Sequence, residues 1–128
     1  METLDQRSPL RAMDRPVPAD APGEGGDMRF VVMAWDGDDP DAKGRRAAVR
    51  PIHLENIQPF VDDGHVLVGG AMLDEQGDMI GSTLVVEFDS RADLDAWITA
   101  DPYVTGGVWD QVEVHPFRPA VGSWLTEP

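Results

Sequence analysis

The alternation of hydrophobic and polar positions from residue 28 onward divides the chain into strand-like and helix-like segments. The first segment, Met28 to Trp35, is an almost continuous apolar run, which is typical of a central strand covered on both faces. It ends at the turn Asp36-Gly37-Asp38-Asp39-Pro40. This turn lacks the ligand spacing and the closing glutamate of an EF-hand loop, so we interpret it as a solvated loop and not as a calcium site.

A first helix is predicted between residues 42 and 63. At 100° per residue, an arc of roughly 120° collects its apolar side chains together with a histidine and an arginine. The members of the arc are Arg50, His53, Leu54, Ile57, Phe60 and Val61. We expect this face to pack on the sheet, with Arg50 and His53 at its edge. Pro51 suits the first turn of a helix, and Pro59 is expected to kink or end it.

A β-hairpin is predicted next, with strands over residues 65–72 and 79–88 and a glycine-containing loop between them. In this pairing Gly69-Gly70 of the first strand faces Gly81-Ser82 of the second. The missing side chains open a hollow on the sheet. The hollow serves either a ligand or a close approach of backbones.

The second helix begins at Ser90, a suitable N-cap, and ends at Asp101-Pro102, because a residue before proline disfavours the helical conformation. Residues 103–107 are predicted as a turn, and a last strand runs from Val108 to Phe117. The order β-α-β-β-α-β predicts an α+β, ferredoxin-like fold with an antiparallel four-stranded sheet. Helices then leave one sheet face uncovered, and a homodimer is the commonest way to cover it.

Residues 1–27 differ from the rest, with four prolines, three glycines and few apolar residues. Such a segment buries too little surface to offset its ordering entropy. We interpret it as a flexible extension of a single domain over residues 28–128, with Met28 as an alternative start. In the C-terminal tail, Trp124 and Leu125 are expected to dock on the body of the protein or on a second subunit.

The net charge of −14 argues against nucleic acid and anionic membranes as partners, because phosphate binding needs clustered lysine and arginine. The absence of cysteine excludes disulfides, thiol nucleophiles and thiolate zinc sites. The longest apolar run is too short for a membrane span, and no signal-peptide core is visible. A cytoplasmic protein is therefore expected.

The three histidines, His53, His65 and His115, match no metal-binding spacing. His65 and His115 lie at strand ends and are predicted to be surface residues. His53 lies on the apolar face of its helix, where a histidine serves either structure or catalysis. Since the two helices of this fold lie side by side, Asp101 is expected to reach His53. A carboxylate fixes the imidazole tautomer, and such a histidine is a suitable general acid or base.

Three further side chains are candidates for orienting an anionic or phenolic small-molecule substrate: Ser82, Arg50 and Tyr103. Gly70 belongs to the predicted hollow. A proton transfer needs no cofactor and no metal, so none is expected.

The chain also resembles the YCII-related (YciI-like) family. The resemblance extends from about Met28 to Arg118 and rests on the order and spacing of several short motifs. These are Arg50-Pro51-x-His53-Leu54, Asp63-Gly64, Leu67-x-Gly69-Gly70, Gly81-Ser82-Thr83, and Ala100-Asp101-Pro102-Tyr103 followed by Gly107-Val108. One difference is Gly70-Ala71, where the family often has Gly-Pro.

This resemblance implies a dimeric α/β barrel of ferredoxin-like subunits and a site centred on His53 and Asp101. It also implies a kinship with a dehydrochlorinase of chlorinated hydroxyhydroquinone and, more distantly, with muconolactone isomerases. We therefore expect a cofactor-free lyase or isomerase. The alternatives are a non-catalytic binding or accessory module, in which His53 and Asp101 form a structural hydrogen bond, and a cofactor-free oxygenase, which requires oxygen uptake.

Overall fold

The computed structural model describes residues 28–122. The expected flexible extension, residues 1–27, and the expected docking residues Trp124 and Leu125 lie outside the described part. In chain order the elements are β1 (Met28–Asp36), α1 (Ala42–Asp62), β2 (Val66–Leu73), β3 (Met79–Phe88), α2 (Arg91–Ala100), α3 (Pro102–Thr105) and β4 (Trp109–Pro116).

The strands form one antiparallel sheet in the order β2-β3-β1-β4. β1 lies inside the sheet, between β3 and β4, as its apolar run predicts. The succession of elements and the strand order confirm the predicted α+β, ferredoxin-like fold. Within residues 28–122, no helix combines the length and the hydrophobicity needed to cross a bilayer.

Alternate residues of the strands face the helices and form the core with them. Those of β1 are Phe30, Val32 and Ala34. Those contributed by α2 are Leu94, Trp97 and Ile98. The intervening β1 residues Val31, Met33 and Trp35 lie on the other sheet face and are only partly buried. A single chain thus covers β1 on one face only, and the expectation of two covered faces is wrong for the isolated protomer.

The first-turn prediction for Pro51 is wrong, and Pro59 does not end α1. The helix begins at Ala42, so Pro51 lies in its middle, and it continues past Pro59 to Asp62. Each proline removes the N–H that would bond a carbonyl four residues earlier, at Ala47 or Glu55. Both prolines and both of these residues are exposed, so water can bond the two carbonyls.

Helix α1 also buries a narrower face than its apolar arc predicts. Its buried residues are Ala42, Arg46, His53 and Ile57. Leu54 and Val61 remain 44% and 42% exposed. Both line a cleft between α1 and the β2–β3 hairpin, and this position explains why they are not packed on the sheet.

Two β-bulges shift the register of the β2–β3 hairpin. Ile80 is the extra residue near one end, and Leu67 is the extra residue near the other. Between the bulges, Gly69 pairs with Leu84, Gly70 with Thr83 and Ala71 with Ser82. The predicted pairing of Gly69-Gly70 with Gly81-Ser82 is therefore wrong, because the sequence did not reveal the bulge at Ile80.

The shift decides which side chains of β2 face the helices. Paired residues share a sheet face, and Leu84 and Ser82 are buried beneath the helices. Gly69 and Ala71 therefore lie on the helix side, whereas Gly70 lies on the uncovered side with Thr83. A one-residue slip reverses every side chain of a strand, and here it puts two small residues, Gly69 and Ala71, under α1.

Two smaller predictions also need correction. The predicted turn after Asp101 contains a short helix, α3, because the Asp101 side chain caps it by accepting the Tyr103 N–H. His65 is not a free surface residue. Its Nδ1 lies 2.8 Å from the Glu87 carbonyl oxygen, and its ring stacks on Phe88 with centroids 4.6 Å apart. His115 is exposed, as predicted.

Gly81 is a sensitive position of this sheet. A Cβ at Gly81 would meet the Met72 Cε at 2.6 Å and overlap the Ala34 carbonyl oxygen, a backbone atom that cannot move aside. We expect Gly81→Ala to lower the free energy of unfolding by about 1–3 kcal/mol, as overpacking does. The measurement is the urea unfolding midpoint followed by circular dichroism.

The matched control is Gly70→Ala on the neighbouring strand, where a Cβ meets no heavy atom within 4 Å. Its effect is expected to stay within about 0.5 kcal/mol, as for most surface substitutions. Equal unfolding midpoints for the two variants would contradict the described packing of β1 against β3.

Candidate functional site

His53 and Asp101 are in direct contact, as the topology predicts. His53 lies in the middle of α1, and Asp101 lies at the junction of α2 and α3 in an extended conformation (φ −68°, ψ 140°). His53 Nδ1 is 2.9 Å from Asp101 Oδ2, and both side chains are buried. The same Oδ2 accepts the Tyr103 backbone N–H at 2.9 Å. Proline at position 102 ends α2 and so sets the place of this carboxylate.

The hydrogen bond determines which nitrogen of His53 is available for chemistry. A carboxylate oxygen that already accepts a backbone N–H acts as an acceptor toward the imidazole as well. In the neutral ring, Nδ1 therefore carries the hydrogen and Nε2 carries the free lone pair. Within residues 28–122 no side chain or backbone group bonds Nε2, and His53 lines the cleft.

Two aromatic rings hold the imidazole in place. Tyr103 stacks on His53 with centroids 3.8 Å apart and an interplanar angle of 12°, and Trp109 contacts it edge-on at 6.2 Å. Burial raises the pKa of the Tyr103 phenol, although the positive charges of Arg46 and Arg50 oppose this effect. The phenol is therefore protonated at neutral pH and can donate a hydrogen bond.

Arg46 is a site residue that the sequence analysis missed. Its Nη1 donates to both carboxylate oxygens of Asp36, at 2.8 and 3.0 Å, and its Nη2 donates to Ser82 Oγ at 2.9 Å. The guanidinium also lies 4.7 Å from the centre of the Tyr103 ring. Arg46 precedes His53 by seven residues, so the two share a helix face. This spacing was the signal that could have identified Arg46.

The Arg46–Asp36 pair is almost fully withdrawn from water, with side chains 6% and 5% exposed. Burial raises the pKa of the Asp36 carboxyl, and the Arg46 guanidinium opposes that rise. The loss of hydration therefore outweighs the attraction between the charges. Such a pair fixes the positions of its two side chains more than it stabilises the folded state.

The cleft between α1 and the hairpin has a volume of about 380 Å³. Its apolar walls are Leu54, Ile57, Val61, Val66 and Leu84. The polar side chains that reach it are Arg46, Arg50, His53, Gln58, Ser82 and Tyr103. A small molecule with an apolar body and a few acceptor oxygens matches this lining.

The structure brings most of the predicted site residues to this cleft. His53, Ser82 and Tyr103 are buried at its inner end, and Asp101 lies behind His53. Arg50 lies on an exposed part of the wall, and none of the described residues bonds its guanidinium. Gly70 borders the cleft, but by its register Gly69 is the residue whose missing side chain opens it.

Trp109 was also missed by the sequence analysis. Its Nε1 donates to Ser82 Oγ at 3.3 Å, so Ser82 accepts hydrogen bonds from two donors. Nothing in the local sequence distinguished Trp109 from an ordinary core residue at a strand start.

The acidic turn after β1 is held by arginines. Asp36 bonds Arg46, and Asp39 bonds Arg45 at 2.8 Å. In the described ranges no three histidine, aspartate or glutamate side chains converge as a metal site would require.

Three comparisons with known proteins place this geometry in a family. The model of the YCII-related domain matches residues 28–118. Protein YciI of Escherichia coli is 38% identical over 97 residues, which cover 71% of this chain and 97% of that protein. An uncharacterized protein of Haemophilus influenzae is 32% identical over 97 residues, which cover 71% of this chain and 97% of that protein.

Among solved structures, the chain is similar to 5-chloro-2-hydroxyhydroquinone dehydrochlorinase (TftG) from Burkholderia phenoliruptrix, in complex with 2,5-dihydroxybenzoquinone. The TM-score is 0.64 at 23% identity, covering 73% of this chain and 96% of that one, which supports the fold. The domain match and the two relatives together show that the chain belongs to the YCII-related domain family.

Proposed function

We propose that this protein is a cofactor-free enzyme of the lyase or isomerase type, in which His53 transfers a proton on a small cyclic or phenolic substrate. The observation that carries the proposal is the pairing of His53 Nδ1 with Asp101 at 2.9 Å, which leaves Nε2 unpaired in the cleft. A base held in one tautomer beside a ligand-sized cavity fits general acid–base catalysis.

Each neighbouring group has a role in this proposal. Asp101 orients the imidazole and balances the charge that His53 gains with a proton. Ser82 and Arg50 bind substrate oxygens, and the protonated Tyr103 phenol is a further donor. Gly69, whose missing side chain opens the cleft, leaves room for a ring.

The charges around the cleft favour an anionic or readily ionised substrate. The chain has a net charge of −14, yet the ionisable side chains that line the cleft are two arginines, a histidine and a tyrosine. Asp36 balances Arg46, whereas Arg50 has no carboxylate partner among the described residues. A cation next to an apolar cavity attracts phenolates and carboxylates.

The unpaired polar atoms favour a functional site over a purely structural one. Within residues 28–122, three buried side-chain nitrogen or oxygen atoms have no hydrogen-bond partner, and two of them are Arg46 Nε and Asp101 Oδ1. Buried polar atoms normally find partners, so their concentration at the site calls for a reason beyond folding. The hydroxylated rings named for the TftG dehydrochlorinase support the proposed substrate class.

Proton transfer can be tested without knowledge of the natural substrate. Ring hydrogens beside a hydroxyl exchange with deuterium through a keto tautomer, and proton NMR in D₂O follows that exchange. We expect the protein to accelerate exchange in at least one member of a set containing hydroxyhydroquinone, resorcinol and 2,5-dihydroxybenzoquinone. His53→Ala should lower the accelerated rate about 100-fold to 10,000-fold, the usual contribution of a general base.

The assay is run without oxygen, so exchange there also separates proton transfer from an oxygenase reaction. His65→Ala serves as the matched control, because that histidine bonds Glu87 and is absent from the lining of the cleft. Undiminished exchange in His53→Ala would refute the assignment. If the wild type catalyses no exchange and Asp101→Asn lowers the melting temperature strongly, the non-catalytic binding module is the better description.

We also propose that the protein is a homodimer formed through the sheet face that the helices leave uncovered. Four partly buried side chains of this face are apolar: Val31, Met33 and Trp35 on β1, and Val85 on β3. An apolar face of this kind is commonly covered by a second copy about a twofold axis.

A charge at the centre of this face should separate the subunits. We expect light scattering to give twice the mass of the chain for the wild type and the single mass for Val85→Lys, with the circular dichroism spectrum unchanged. Ile52→Lys is the control, because Ile52 is a 58% exposed side chain of α1. A Val85→Lys protein that stays dimeric would contradict the proposed interface.

A further inference from the structure

Hydrogen bonds within the protein occupy most of the hydrogen-bonding capacity of the Ser82 hydroxyl. A serine hydroxyl has two acceptor lone pairs and one hydrogen to donate. Arg46 Nη2 donates to Ser82 Oγ at 2.9 Å, and Trp109 Nε1 donates to it at 3.3 Å. Both lone pairs are therefore occupied. The remaining hydrogen has no acceptor within residues 28–122, and Ser82 lines the cleft.

Arg46 holds this arrangement rigidly. Both oxygens of Asp36 accept from Arg46 Nη1, and the guanidinium lies against the Tyr103 ring. Asp36 ends β1, and Ser82 lies on β3 opposite Ala34, so the arginine joins two neighbouring strands to α1. Because both Asp36 oxygens accept from Nη1, the planar guanidinium keeps Nη2 directed at Ser82.

From this geometry we infer that Ser82 is an obligate hydrogen-bond donor to a substrate oxyanion and that Arg46 is its positioning residue. The inference rests on the proposed proton transfer and specifies its other half. His53 Nε2 takes a proton from the substrate, and the electron pair left behind moves onto a substrate oxygen. That oxygen accepts the Ser82 O–H, so no further reactant is needed.

The same geometry argues against a role for Ser82 as a base. A hydroxyl takes up a proton with an oxygen lone pair, and here two N–H groups occupy both lone pairs. Donation from Arg46 and Trp109 also draws electron density from Oγ, and this strengthens the O–H as a donor. The positive charge of Arg46 favours the anion further.

An ionisable chromophore tests the inference without turnover. The probe is 4-nitrophenol, whose phenolate absorbs visible light, titrated in the presence of excess wild-type protein. We expect binding to lower its pKa by about one unit, which corresponds to about tenfold tighter binding of the phenolate than of the phenol. The charged or titratable groups near the probe are Arg46, Arg50, His53, Tyr103, Asp36 and Asp101.

Variants of Ser82 separate donation from general packing. Ser82→Ala and Ser82→Cys should abolish most of the shift, and Ser82→Thr, which keeps a hydroxyl, should retain it. Thr99→Ala is the control, because its hydroxyl bonds Asp95 on the surface of α2. Melting temperatures identify any variant that fails to fold, and Ser82→Cys replaces Ser82→Ala in that case.

A double-mutant cycle tests whether Arg46 acts through Ser82. Arg46→Lys keeps the charge but cannot bond both Asp36 and Ser82 in the same way. We expect it to reduce the shift as Ser82→Ala does, and the double variant to reduce it no further. Additive losses would overturn the positioning role.

Two other results would overturn the donor role: no shift with the wild type, or a full shift in Ser82→Ala. His53→Asn distinguishes this inference from the proposed function. It should abolish deuterium exchange while leaving a 4-nitrophenol shift that still depends on Ser82. If His53→Asn loses exchange and the wild type shows no Ser82-dependent shift, only the proposed role of His53 is supported. If the wild type shows the shift but catalyses no exchange, only the proposed oxyanion site is supported.

Discussion

Helix α1 buries an arginine and a histidine where an ordinary amphipathic helix buries leucines. Of its four buried residues, Arg46 and His53 are polar and seven positions apart. A buried charge or imidazole is tolerated only with partners, so the fold must supply carboxylates at two fixed places. It does so with Asp36, at the end of β1, and Asp101, between α2 and α3. The positions of β1, α1 and the α2–α3 junction therefore depend on one another.

The sheet leaves space beneath this helix because small residues lie there. Two bulges reverse the sheet faces on which the side chains of residues 68–72 lie. As a result Gly69 and Ala71 lie under α1, and Val68 and Met72 lie on the uncovered face. Without the bulges, period-two alternation would put the larger side chains of β2 beneath the helix and fill the cleft. The cleft thus results from a local register shift, while the rest of the hairpin pairs in the ordinary way.

Much of the fold was predictable because it depends on strong local signals. The bounds of β3, the N-cap at Ser90 and the left-handed Gly77 follow from period-two alternation and turn chemistry. The bounds of α1 agree with the predicted range, but the place of its prolines inside the helix was harder to predict, since they are tolerated only because the affected carbonyls reach water. The bulges in β2 and β3 leave no clear pattern, because their stability depends on packing between strands and helix.

The candidate site was predictable to the extent that it follows from topology. The two helices of a ferredoxin-like fold lie side by side, so His53 on α1 and Asp101 at the end of α2 were expected to come together, and they do so here. The hydrogen-bond partners of Ser82 were not predictable in this way, because identifying them requires the strand register and the directions of the side chains. Trp109 reaches Ser82 because β4 pairs with β1, which pairs with β3, and no local window contains all three strands.

Tyr103 accounts for how the proposed base and the proposed oxyanion donor can lie close together in one cleft. In the proposed reaction, a proton taken by His53 would create a second buried positive charge near Arg46. The Tyr103 ring contacts both groups, stacking on the imidazole at 3.8 Å and lying 4.7 Å from the guanidinium. Its π face favours a cation, and Asp101 neutralises the imidazolium from the other nitrogen. The same residue lies in the first turn of α3 and donates its N–H to Asp101, so one short helix positions the carboxylate and separates the two cationic groups.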